Sequence, residues 1–304
     1  MAHDCIIHSS LLAGHGRVMT QIDLGRVILL CILQFRIARN NLTRLIDLIL
    51  YLKKRSMVSA GVTIGSAELF QKQWNVYRII VDNNELCHCD LIDAITKDVH
   101  SSRQNTSVRV LDLGCGDSHV PVSVFEKNLK DCVTLASFTG VDASRQALDI
   151  AAGMFNISAL HMIEGDLEAF LKEDSQQEYD VVLANFVLHH FSPETKKELI
   201  RRIYTMVAPG GTFYFGDVYN SEPGSDREKM MSRWRKRFDT FRGLTMEELQ
   251  DVWDHVYSKD FPETIAFMQE AMIEAGFIDV EILFKDDFYA CCIRGNKASS
   301  KHGL

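Results

Sequence analysis

Short apolar runs alternate with amphipathic stretches through most of this chain. Runs at 108–113, 138–141, 160–164, 179–185 and 211–218 predict strands. Between them, the stretches 119–129, 145–154 and 193–207 carry apolar residues at helical spacing. Strands that alternate with helices in this way build a parallel sheet covered on both faces. Upstream, two helices are predicted over 70–81, where Trp74, Tyr77 and Val81 share a face, and over 89–99. The order changes after Val218. Residues 222–260 are polar, rich in Met, Trp and Arg, and predict helices without a strand, and Pro262 opens another helix that ends near Gly276. The runs 280–284 and 288–293, separated by Lys285-Asp286-Asp287, predict a hairpin, with 295–304 as a frayed tail.

At 304 residues, with 46% hydrophobic and 24% charged content, the chain is long enough for one large domain with an appendage. Charge is unevenly spread. Residues 1–56 carry eight Lys/Arg against three Asp, a net of +5, which leaves −13 on the remainder against −8 for the whole chain. An acidic body argues against binding along a nucleic-acid phosphate backbone. The eight cysteines lack the two-residue gaps of a zinc ribbon and suggest no disulfide framework. They read as reduced thiols of a cytoplasmic protein. The apolar run 27–33 is followed closely by Arg36, Arg39 and Arg44, each costing about 2.5–3.5 kcal/mol near a membrane centre, so no stable span is expected. Leu42, Leu45, Ile46 and Ile49 recur at helical spacing before Lys53-Lys54-Arg55. Residues 1–56 therefore read as an extra helix on the body. Organellar targeting is the competing reading, which Asp4, Asp23 and Asp47 oppose.

The densest chemistry lies at the end of the first strand, in Val108-Arg109-Val110-Leu111-Asp112-Leu113-Gly114-Cys115-Gly116-Asp117-Ser118. Gly114 and Gly116 let the backbone approach a ligand closely, and Asp117 or Ser118 can cap the following helix and leave its free N–H groups facing an anionic group. A pyridine dinucleotide fingerprint needs a third small residue where His119 stands, so that cofactor is disfavoured. The stretch instead resembles the first motif of class I S-adenosylmethionine-dependent methyltransferases. Further landmarks of that family follow in order: Asp142 in Thr139-Gly140-Val141-Asp142-Ala143-Ser144, Gly165-Asp166 after the third strand, Leu188-His189-His190 after Asn185-Phe186-Val187, and Ala208-Pro209-Gly210-Gly211 before the fifth strand.

The resemblance, most similar to the small-molecule subgroup with Leu-His-His and Ala-Pro-Gly-Gly segments, covers about residues 65–294. It implies an α/β fold with a Rossmann-like, mostly parallel seven-stranded sheet, a C-terminal antiparallel hairpin and a helical insertion after the fifth strand. It implies a methyltransferase domain over 57–304, with an N-terminal lid at 57–105, a cofactor core at 106–221, a substrate lid at 222–262, and a final helix and hairpin at 263–294. The implied S-adenosylmethionine contacts are Tyr77, Asp112, Gly114, Cys115, Gly116, Asp142 at the ribose hydroxyls, Ala143, Gly165, Asp166 at the adenine amino group, Leu167, Asn185 and Phe186.

His189, His190, Asp217 and Tyr219 lie within reach of a methyl acceptor and are the candidate bases. The His pair also suits a plain loop-supporting role. Cys115 reads as a space-filler. Cys87-His88-Cys89 on a helix would point its side chains apart, so no metal site is expected there. The aromatic and Met residues of the insertion read as packing that also roofs the substrate. Arg233, Arg235, Lys236 and Arg237 read as a solvated face from which one Arg could hold a substrate carboxylate or phosphate. The expected function is methyl transfer to an O, N or C nucleophile of a small molecule, with no nucleic-acid partner. Absence of the Asn/Asp-Pro-Pro-Tyr/Phe tetrad after the fourth strand agrees with this. A non-catalytic cofactor-binding regulatory subunit is the alternative.

Overall fold

The computed structural model describes residues 66–172, 177–221 and 227–299. The expectations for 1–56 lie outside these residues. Two helices, α1 (Ser66–Asp82) and α2 (His88–Arg103), precede β1 (Thr106–Leu113). The chain then alternates through α3 (His119–Pro121), β2 (Val133–Asp142), α4 (Arg145–Ala152), β3 (Leu160–Glu164), α5 (Leu167–Lys172), β4 (Tyr179–Asn185), α6 (Pro193–Met206) and β5 (Val207–Val218). Helices α7 (Arg227–Phe238), α8 (Met246–Lys259) and α9 (Ile265–Ala275) lead into β6 (Ile278–Lys285) and β7 (Ala290–Asn296). After Pro121, which lacks an N–H, α3 continues as the π-helical segment Val122–Asn128.

All seven strands form one sheet in the order β3-β2-β1-β4-β5-β7-β6. The first five are parallel, and β7 runs antiparallel to both β5 and β6. The chain moves outward from β1 to β3 and then returns to place β4 on the other side of β1. That reversal opens a crevice at the carboxyl ends of β1 and β4, the place where open α/β sheets bind ligands.

Period-two alternation supplies a core on each face of the sheet. Leu111, Leu113, Val182, Ala184, Phe213 and Phe215 face Leu199, Ile200 and Ile203 of α6 and Met268 and Met272 of α9. Val108, Val110, Val181, Leu183 and Tyr214 face Leu91, Ile95 and Val99 of α2 together with Val124 and Phe125. A third cluster joins Met230, Met231, Trp234 and Phe238 of α7 to Val76 and Ile80 of α1 and to Tyr289. The insertion is thus packed on the domain by its apolar stripe.

Several boundaries differ from the sequence reading; β2, for one, starts at Val133 where the apolar run predicts 138. Strand β5 starts at Val207 because Ala208 to Gly211 is absorbed by a register shift, Tyr179 pairing with Val207 and Val181 with Thr212. Helix α9 starts at Ile265, since Thr264 accepts the N–H of Phe267 as its cap and Pro262 lies before it. Residues 295–297 are not frayed: Asn296 pairs with Thr212, and the Lys297 ammonium donates to the carbonyls of Tyr204 and Val207 at 3.1 and 2.6 Å. Among the described residues no helix is long and apolar enough to cross a membrane.

Gly114 shows how tightly the turn after β1 is built. Its φ is +68°, and a Cβ there would lie 2.5 Å from Val187 Cγ2. Gly114→Ala is expected to cost about 2 kcal/mol or more in urea unfolding, combining left-handed strain with the clash. Val187→Ala in the same chain should recover the clash but not the strain. Additive effects of the two substitutions would contradict this geometry.

Candidate functional site

Asp112, Asp142 and Asn185 end three strands on one edge of the sheet, and the turn Gly114–Gly116 crosses between them. Leu113 pairs with both Val141 and Ala184, which brings these ends level. Gly114 and Gly116 both take positive φ, +68° and +51°. The N–H groups of Gly114 and Cys115 donate to the Val141 carbonyl at 2.8 and 3.0 Å, and that of Gly116 to Asp142 Oδ2 at 2.9 Å. The next free N–H, on His119, donates to Asp117 Oδ1 at 3.1 Å. Asp117 is therefore the side chain that caps α3, while Ser118 stands in a left-handed conformation and makes no side-chain cap.

This corrects the expected anion cradle. Gly114, Cys115 and Gly116 spend their N–H groups within the protein, and the carboxylates of Asp142 and Asp117 take two of the local donors, so the side chains gathered at the turn are acidic. Such a wall suits a cation or a set of hydroxyl and amine donors.

A cavity of about 220 Å³ opens at this edge, lined by Tyr77, His88, Asp112, Gly114, Cys115, Gly116, His119, Val120, Pro121, Asp142, Asn185 and Phe186. Its volume falls below the roughly 300–1,000 Å³ of full small-molecule sites, so it encloses only part of a nucleoside-sized ligand. Within it, His88 Nδ1, Asp112 Oδ1 and both amide atoms of Asn185 are buried without a hydrogen-bond partner among the described residues. Buried polar atoms left without partners are costly, and their convergence on one cavity marks a place where a ligand supplies them. Burial, then Asp142 and Asp117, hold the Asp112 carboxyl well above the usual carboxylate range. Burial, with His119 beside it, pushes the His88 imidazole down to about 3, so the ring is neutral.

The roof comes from α1 and α2. Tyr77 donates to Asp117 Oδ1 at 3.3 Å, and Arg78 reaches Asp117 Oδ2 at 3.4 Å. His88 packs on Phe186 with ring centroids 4.6 Å apart. Phe186 itself holds φ +50°, an unusual conformation for an aromatic residue that is fixed by its N–H donating to the Gly216 carbonyl at 2.8 Å. A larger hollow of about 540 Å³ lies by β2 and β3, lined by Thr139, His161, Tyr179 and neighbours, and holds none of these strand-end acids.

Of the twelve residues expected to contact the cofactor, eight line the cavity: Tyr77, Asp112, Gly114, Cys115, Gly116, Asp142, Asn185 and Phe186. Ala143, Gly165, Asp166 and Leu167 do not. Asp166 is exposed and caps α5 by accepting the N–H of Ala169 at 2.9 Å, while Gly165 donates to the Asp142 carbonyl at 3.0 Å. They occupy the neighbouring strand end, outside the enclosed part. His88 and His119 were missed as lining residues. Both stand at the start of a helix, where periodicity does not say what the first residue faces, and only the folding of α2 over the sheet edge brings His88 there.

The candidate bases form a separate group. His189 Nδ1 lies 2.5 Å from Asp217 Oδ1, and its backbone N–H donates to Asp217 Oδ2 at 3.1 Å. Burial works against charge on His189, but Asp217 outweighs it and raises the imidazole above its ordinary value. His190 approaches Asp260 at 3.4 Å. Tyr219 does not join them: it is buried in the core, its hydroxyl donates to the Asp286 carbonyl at 2.7 Å, and burial pushes its phenol up to about 12. None of the four lines the cavity. The three arginines singled out on α7 are held within the protein, Arg233 by Ser221, Arg235 by Asp239 and Gln250, and Arg237 by Glu85.

Residues 111–213 match the family model described as "Methyltransferase domain". The chain is 23% identical over 213 residues to a carboxy-S-adenosyl-L-methionine synthase of Campylobacter fetus, covering 69% of this chain and 86% of that protein. It is 30% identical over 128 residues to an arsenite methyltransferase of Aquipseudomonas alcaligenes, covering 36% of this chain and 33% of that one. In fold it resembles the magnesium protoporphyrin IX methyltransferase of Synechocystis solved with S-adenosylhomocysteine, with a TM-score of 0.51 at 13% identity over 75% of this chain and 94% of that one. Residues 111–213 thus carry the match to a methyltransferase domain, and they lie on a Rossmann-like sheet.

The raised Asp112 carboxyl makes ligand binding pH-dependent. A cationic ligand beside Asp112 favours its ionised form, so the complex holds fewer protons than the free protein, and affinity should climb as pH rises toward the raised value and level off above it. Calorimetric titration of S-adenosylmethionine in buffers of different ionisation enthalpy should register proton release; none at any pH would remove Asp112 from the contact. The ligand-free protein should respond in the opposite sense. A carboxyl raised on folding stabilises below its unfolded value of about 3.9, and that contribution is lost as pH rises through the folded value. Asp112→Asn should therefore stabilise the ligand-free protein at neutral pH by about 1 kcal/mol, roughly 2–4 °C in Tm, while weakening binding.

Proposed function

We propose that this methyltransferase domain moves the methyl group of S-adenosylmethionine onto a nucleophile of a small-molecule acceptor by in-line displacement. The observation that carries the reading is the set of unpartnered polar atoms, on Asp112, Asn185 and His88, that converge on one carboxylate-walled cavity. The residues present fit the cofactor. Asp112 Oδ1 would accept the ammonium of the methionine end. Asp142 keeps lone pairs beyond those given to Gly116 and to Ser144 N–H at 2.8 Å, and would accept both ribose hydroxyls. A Cβ at Gly116 would meet nothing within 4 Å, which leaves that stretch of backbone open to a ligand. Ala143, Gly165, Asp166 and Leu167 stand at the adjoining strand ends, on the side the purine would take.

When bound, the cofactor supplies an activated methyl group with a neutral leaving group, so the chain's work is positioning and exclusion of water. Phe186, Tyr77 and His88 wall the cavity with aromatic surface, and α1 and α2 cover it. A nucleophile with a free lone pair needs no base. The acidic body favours a small acceptor over nucleic acid. A second reading is favoured by the synthase relative, whose alignment spans most of its length and whose name says that it makes carboxy-S-adenosylmethionine. In that reading the nucleoside itself is the product.

Incubation of the protein with methyl-labelled S-adenosylmethionine and a metabolite extract, followed by mass spectrometry, separates these readings. Transfer yields S-adenosylhomocysteine and a labelled non-nucleoside product. Label retained on a modified nucleoside supports the second reading, and binding without turnover of any supplied pool supports a regulatory subunit; either overturns the first. Asp142→Ala should weaken cofactor binding by about 2–3 kcal/mol by calorimetry, as loss of a charged acceptor does. Unchanged affinity would remove Asp142 from the ribose.

A further inference from the structure

His189, His190 and Asp260 come from segments about seventy residues apart, yet their ligand atoms lie within 4.8 Å of one another. Asp260 Oδ1 is 3.4 Å from His190 Nδ1, 3.8 Å from His189 Nε2 and 3.9 Å from His255 Nε2. We propose that this cluster is a binding site for a first-row divalent metal ion, with His189, His190 and Asp260 as ligands and zinc the best fit. Its basis is separate from the proposed methyl transfer.

Three observations carry it. The edges of a tetrahedron with metal–ligand bonds of about 2.0–2.1 Å are about 3.3 Å, and the separations at Asp260 Oδ1 need only side-chain adjustments to meet that figure. Asp260 is 5% exposed, and its Oδ1 is buried with no hydrogen-bond partner, although three imidazoles face it. His189 is oriented as a ligand should be: its Nδ1 lies 2.5 Å from Asp217 Oδ1, which turns Nε2 toward Asp260 Oδ1 at 3.8 Å. A carboxylate behind the remote nitrogen is the arrangement that fixes metal-bound histidines.

The surrounding charge also fits a cation. Asp217 and Asp260 face the cluster, the buried Lys196 ammonium is committed to the Phe261 carbonyl, and Arg227 donates to the Asp260 and Tyr257 carbonyls. His190 and His255 are partly exposed and give a path from solvent, and His255 Nε2 stands near enough to take a fourth position. The N–H of Phe261 donates to the His189 carbonyl at 2.7 Å, so the backbone already ties the end of α8 to the turn Leu188–His190. A metal at this point would clamp the helical insertion to the strand end of β4.

Equilibrium dialysis of untagged full-length protein against zinc chloride, read by elemental mass spectrometry, should find one tight zinc per chain. His190→Ala, whose side chain is 41% exposed and whose loss should leave the fold intact, and Asp260→Ala should each lower affinity at least about tenfold. Asp217→Asn, acting through His189, should lower it by about 10–100-fold. Cobalt(II) in place of zinc should give a tetrahedral d–d spectrum without thiolate charge transfer, lost in His190→Ala. No zinc bound at micromolar concentration, affinity unchanged in His190→Ala and Asp260→Ala, or a thiolate band that puts the metal on cysteines would overturn the proposal.

Discussion

Asp112 carries one carboxylate oxygen, near the end of the central strand, that no group among the described residues satisfies, and the surrounding cavity is built around that cost. A buried carboxylate with Asp142 and Asp117 beside it is an unfavourable thing to build. The parallel sheet makes it unavoidable, because β1 lies between β2 and β4 and its last polar residue emerges at the bottom of the crevice. The glycine turn brings the backbone across that acid, its N–H groups turned inward to Val141 and Asp142. The aromatic cover of Tyr77, His88 and Phe186 keeps water away, which strengthens the demand for a ligand that brings its own donors and charge.

That arrangement explains why the core of the fold and most of the residues that line the cavity were legible in the sequence. Strand alternation gives the parallel sheet, and the acids at its strand ends stand out because polar residues there interrupt apolar runs. The sign of the turn was not legible. Gly-x-Gly before a helix reads as an anion cradle by local rules, and only tertiary contacts reveal that Asp142 and Asp117 take the donors first. Tyr219 failed for a related reason. Its place after β5 suggests the substrate side, but the hairpin folds back so that its hydroxyl meets the Asp286 carbonyl. His88 and Asp260 gave no signal because each acquires its role from an element distant in sequence.

The insertion after β5 links the two polar centres of the domain. Its helix α7 packs against α1, which roofs the cavity, while the residue after α8 reaches the histidines that follow β4. The cover of the cavity and the insertion are therefore parts of one packed unit, tied at the end of α8 to the Leu188–His190 turn by the Phe261 N–H to His189 carbonyl bond.

The central claim is that the carboxylate wall recognises a cationic amino-acid arm. Calorimetry comparing S-adenosylhomocysteine with 5′-methylthioadenosine, which shares the nucleoside and sulfur but lacks the ammonium-bearing arm, measures this directly. The expected result is a loss of at least about tenfold in affinity for the truncated ligand, near the value of one charged hydrogen bond. Equal affinities would contradict the account, since Asp112 would then remain unsatisfied with either ligand in place.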